Sequence, residues 1–123
     1  MPKFDRFNMP KTREDIDRFV REFHLRPAGV VSYKGRDIFI AETDLEMDRP
    51  IEYPWGYYQV AWFVSSPKSM EKLDIGNWAE YESMHDKEQS WTPETKRIAR
   101  INDVVNQAHK FINQSEEVGR YAN

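Results

Sequence analysis

The sequence predicts an α+β fold: a small antiparallel sheet of about three strands, packed with an N-terminal helix and a long C-terminal helix. Three observations predict it. Apolar residues recur with the helical period near both ends of the chain. Between them, β-branched and aromatic stretches are joined by a Lys-Gly pair, and residues 57–64 alternate with the period of two that marks a strand. At 123 residues the chain has the length of one domain with one core. No repeat, low-complexity run or flexible linker divides it, so residues 1–123 read as a single α+β domain.

Thr12 is placed to cap the first helix, and Glu14 and Asp15 suit the positive end of its dipole. Ile16, Phe19, Val20 and Phe23 then form its inward stripe. The helix should stop near His24 or Leu25, because Pro27 disfavours helical geometry in the residue before it. Residues 28–43, AGVVSYKGRDIFIAET, read as a β-hairpin turning at Lys34-Gly35. In the third strand Tyr58, Val60, Trp62 and Val64 share one face, while Tyr57, Gln59, Ala61 and Phe63 share the other. Both faces are largely apolar, which predicts a strand that is central or covered on both sides. Residues 70–84 read as a shorter helix interrupted at Gly76-Asn77. The last helix has Thr92 as N-cap, Pro93 in its first turn and a stripe of Ile98, Ile101, Val105, Ala108 and Ile112. Val104 and Phe111 widen that stripe, and Gly119 is its C-cap candidate.

Composition narrows the function classes. With 39% apolar, 32% charged and 14% aromatic residues, the chain is too aromatic for a disordered one. No apolar run approaches the roughly 18 residues of a membrane span, and charges interrupt the N-terminal MPKFDRFNMPKTRED where a signal peptide is apolar, so a cytoplasmic protein is expected. There is no cysteine, which excludes a disulfide framework, a thiolate nucleophile and a cysteine-based zinc site. Glycine-rich phosphate-binding loops and the nucleophile-elbow motif are absent too, so no cofactor is expected.

The net charge of −3 is unevenly spread. Residues 42–52 hold five acids and one arginine, whereas residues 1–41 hold nine Lys/Arg and six Asp/Glu. Within the acidic segment Glu42, Asp44, Glu46 and Asp48 occupy every second position, followed by Glu52 and the aromatics Tyr53, Trp55 and Tyr57. On an extended strand such acids line one face, roughly 6.6 to 6.8 Å apart. They can be the wet face of an edge strand, a surface for a basic partner, or ligands for a hard cation. Spacing counts against the cation, since alternate carboxylates on a straight strand diverge. Tyr53 and Trp55 stand among Pro50, Pro54 and Gly56, a setting in which rigid aromatics can anchor a protein interface.

Two rivals remain. A metal-dependent hydrolase or nuclease would use Asp37, Glu42 and Asp44, but Asp37 and Glu42 are five apart and fall on opposite faces of a regular strand. A nucleic-acid-binding module would use Arg13, Arg18, Arg21 and Arg26 with Lys96, Arg97, Arg100 and Lys110, although interleaved acids make the first helix read as a salt-bridged face. His24, His85 and His109 form no ligand set, and Ser65-Ser66-Pro67-Lys68 matches a serine-nucleophile motif only by coincidence. The reading is therefore a small non-enzymatic interaction protein that binds a protein with a basic surface through Glu42, Asp44, Glu46, Asp48, Glu52, Tyr53, Trp55 and Tyr57. Its finer form is an inhibitor or regulator of a nucleic-acid-handling protein, of phage or mobile-element type. That context rests on small size and lack of motifs alone.

Overall fold

A computed structural model describes residues 4, 5, 7–43, 58–81 and 93–121. The chain order is α1 (Arg13–Glu22), β1 (Leu25–Tyr33), β2 (Arg36–Thr43), β3 (Tyr58–Ser65), β4 (Leu73–Tyr81) and α2 (Pro93–Tyr121). The strands form one antiparallel meander in the order β1-β2-β3-β4. The α+β class holds, with four strands among the described residues in place of about three. No helix among those residues is long and apolar enough to cross a membrane.

Helix α1 starts where its capping chemistry requires. Thr12 is extended, and its Oγ1 accepts the Asp15 amide at 3.2 Å, which satisfies one of the free donors of the first turn. The helix ends slightly earlier than Pro27 alone implies, because His24 takes a φ of 53° and sends the chain into β1. Pro27 lies inside β1, an edge strand, where its lack of an amide proton does least harm. The β1–β2 register slips between Pro27 and Gly29, and Gly29 there adopts a φ of 141°. At the hairpin tip Lys34 and Gly35 both have positive φ, the two-residue turn whose twist matches the flanking strands.

Within the stretch 70–84 read as an interrupted helix, Leu73–Tyr81 form β4, and this corrects the sequence expectation, while residues 82–84 lie outside the described residues. Its residues alternate: Ile75 and Ala79 pack toward α2, while Trp78 packs toward α1. Gly76 is not a helix breaker but a point of close approach. A Cβ there would sit 2.8 Å from Phe63 Cδ1 across the strand pair, so a side chain has no room.

The sheet is covered on both faces. On one, Ile38, Ile40, Val60, Trp62 and Val64 pack against Val104, Ala108 and Ile112 of α2. On the other, Phe39, Ala41, Ala61 and Phe63 pack against Phe19 of α1, with Phe4 and Leu25 completing the layer. Strand β3 is therefore enclosed from Val60 to Val64, as its two apolar faces predict. On α2 two details differ from expectation. Ile98 is 49% exposed and lies off the buried stripe, and Gly119 lies within the helix, which runs to Tyr121. The predicted cap, Thr92, lies outside the described residues.

Candidate functional site

Alternation along β2 turns Ile38, Ile40 and Glu42 toward α2, and Phe39 and Ala41 toward α1. Glu42 is thus carried into the α2 face of the sheet and is wholly buried. An isolated carboxylate there would be costly, so its partners decide whether it is tolerated. Arg26, its register neighbour on β1, donates Nε–H to Oε1 at 3.1 Å. Arg97, from the first half of α2, donates Nε–H to Oε1 at 2.7 Å and Oε2 at 2.8 Å. Arg97 also reaches Glu94 Oε1 at 3.3 Å.

The two arginine side chains remain 39% and 29% exposed, so water solvates their outer edges while the carboxylate is closed in. One acid therefore ties a strand of the hairpin to its neighbour and to the last helix. Glu42 departs here from its predicted place in a surface row of acids, because pleating puts it on the face that α2 covers. Next to it Thr43 Oγ1 accepts the Gln59 amide at 2.8 Å and donates to the Gln59 carbonyl at 3.2 Å. These bonds clasp β2 to β3 at the two ends of the connection 44–57. Asp44, Glu46, Asp48, Glu52, Tyr53, Trp55 and Tyr57 lie outside the described residues.

The rival constellations are placed as follows. Asp37 lies on the α1 side of β2, opposite to Glu42, and its amide donates to Ser65 Oγ at 2.9 Å. Ser65 is itself buried, and its carbonyl accepts Arg36 Nε–H at 3.0 Å. Among the described residues no group of three or more His, Cys, Asp or Glu gathers as a metal site would need. Several predicted phosphate-binding cations have internal work. The Arg13 guanidinium lies 4.7 Å from the Phe39 ring centre and that of Arg18 4.2 Å from Phe4, while Arg26 and Arg97 hold Glu42. His109 is stacked on Tyr33 at 3.9 Å, a packing role with α2 against the hairpin. Compared with known proteins, the chain matches no family model, no curated protein and no solved structure.

Proposed function

We propose that this chain is a non-enzymatic interaction protein that meets a basic protein surface with the acidic and aromatic residues of the connection 44–57. The supporting observation is the base of that connection. Adjacent antiparallel strands need only about two to five residues to join them, and longer connections in small domains are commonly functional. Here β2 and β3 are joined by residues 44–57, and both ends are held by the Thr43–Gln59 clasp and by Glu42 between its arginines. A fixed base lowers the ordering cost of presenting a binding segment. Glu42 acts as the anchor in this reading, and Asp44, Glu46, Asp48, Glu52, Tyr53, Trp55 and Tyr57 as contacts.

The finer form is an inhibitor or regulator of a nucleic-acid-handling protein, of phage or mobile-element type, in which the acids occupy a surface that otherwise holds phosphates. The engagement of Arg13, Arg18, Arg26 and Arg97 within the fold weighs for this reading and against a phosphate track on the helices. Replacing Asp44, Glu46 and Asp48 by their amides tests it. Capture of a protein partner should weaken about tenfold at low salt and less at high salt, since exposed charges act through steering. Capture unchanged by the substitutions would sink the proposal.

A further inference from the structure

The α1 face of the sheet carries a second feature, formed by described residues outside the connection 44–57. The chain before α1 folds back over the helix and the start of β4. Phe4 N–H donates to Glu22 Oε2 at 3.2 Å, Arg13 N–H to the Glu71 carbonyl at 2.8 Å, and Leu73 N–H to the Lys11 carbonyl at 2.9 Å. Between this segment, α1 and the β3–β4 pair lies a cleft of about 310 Å³. That is the lower end of the roughly 300 to 1,000 Å³ typical of ligand pockets, so its occupant is one compact group.

Among the described residues four aromatic rings line it: Phe4 and Phe19, both buried, and Phe23 and Trp78, half-buried. Phe23 and Trp78 meet at 4.9 Å and 69°, and Phe19 and Trp78 at 5.3 Å and 78°. Edge-to-face packing of this kind turns ring faces, which are electron-rich, in several directions. The Arg18 guanidinium rests 4.2 Å from the Phe4 ring centre, so Phe4 is engaged by a cation of the chain itself, and Phe23 and Trp78 are the part-exposed rings of the lining.

Among the described residues two polar side chains join the lining, Asp5 and Gln59. Asp5 Oδ1 accepts the amides of Phe7 and Asn8, both at 2.8 Å. Its Oδ2 has no intramolecular hydrogen bond among the described residues, and neither has the side-chain amide of Gln59, whose bonds to Thr43 use its backbone. An apolar occupant would cover both groups and pair neither, at a desolvation cost. A planar guanidinium offers five donors, suits aromatic faces and neutralises a carboxylate. Beside Asp5, the turn Asp5–Asn8 holds Phe7 94% exposed, an apolar contact available to whatever protein carries the cation.

We infer that this cleft takes the guanidinium of an arginine side chain from a protein partner, against the half-buried rings of Phe23 and Trp78 and the side chains of Asp5 and Gln59. The inference rests on the partner-binding reading and names one group that a basic partner inserts.

The test is a titration of the ¹⁵N-labelled chain with N-acetyl-arginine-N-methylamide. Saturable shifts are expected at the Trp78 indole and the Gln59 side-chain amide. Asp5→Asn should weaken them about fivefold, in keeping with loss of a charge-assisted contact, while its Oδ1 still accepts the turn amides and preserves the fold. The neutral citrulline analogue should leave these signals unmoved. Absence of saturable shifts at Trp78 and Gln59, or an equal response to citrulline, overturns the inference. The variant with Asp44, Glu46 and Asp48 as amides should bind the arginine probe as the parent does. Failure of the cleft therefore registers separately from failure of the acidic segment in partner capture.

Discussion

The two faces of the sheet are held by different physics. The α1 face closes with aromatic rings in tilted and edge-to-face contact, and Phe19 at its centre touches Phe4, Phe23, Phe63 and Trp78. The α2 face closes with aliphatic side chains around Trp62, with a Tyr33–His109 stack and, at one end, with a carboxylate between two guanidiniums. Burial of rings is favourable wherever they fit. Burial of a carboxylate is tolerated only while its partners stay in place, so it fixes position more than it adds stability. One face is held by bulk and shape, the other by an address.

Substitutions on each face test this contrast. The largest effect should come from Phe19→Ala, at about 3 to 5 kcal/mol, because the fully buried ring leaves a cavity that neighbouring rings cannot fill. Urea unfolding should show a lower midpoint with little change in slope. Arg97→Ala should cost about 2 to 3 kcal/mol, since Glu42 loses a charge-assisted partner but keeps Arg26. Glu42→Met should cost clearly less than Arg97→Ala, because both arginines reach water once the carboxylate is gone. If the two variants are equally damaging, the carboxylate is a true source of stability and the contrast between faces fails.

Gly76→Ala should cost about 1 to 3 kcal/mol through overpacking against Phe63, readable as a drop in thermal midpoint. Thr12→Ala should be the mildest, at about 1 kcal/mol, from loss of a helix cap. Helical content by circular dichroism should barely change, because α1 is held chiefly by its buried stripe.

Much of this architecture was legible in the residues. Thr12, the Lys34-Gly35 turn and the two apolar faces of 58–65 act through local rules, and local rules are visible in a sequence. The miss at β4 has a physical cause. Gly76 and Asn77 weaken either element, and what requires Gly76 is Phe63 on another strand. The site divides in the same way. Glu42 shares its face with Ile38 and Ile40, so a period of two already places it inward. Its partner is hidden, because counting back from a two-residue turn sets Pro27 opposite Glu42, and the slip at Gly29 moves Arg26 there instead. Arg97 carries no local signal at all, and neither does the aromatic cleft, which joins Phe4 to Trp78 through folding back of the chain.

The long helix is fastened to the hairpin at both ends. Arg97 meets Glu42 near the first, and at the tip Lys34 Nζ donates to Asn113 Oδ1 at 2.6 Å and Glu116 Oε2 at 3.1 Å. These contacts link residues 55 to 82 positions apart, which gives the assembly a direction in time. On a ribosome the hairpin and both inner strands are made before α2, and domains complete as synthesis delivers their parts. Until α2 emerges, Ile38, Val60, Trp62 and Val64 lack the helix that buries them. The nascent chain therefore carries one covered face and one adhesive one until α2 follows and buries the second.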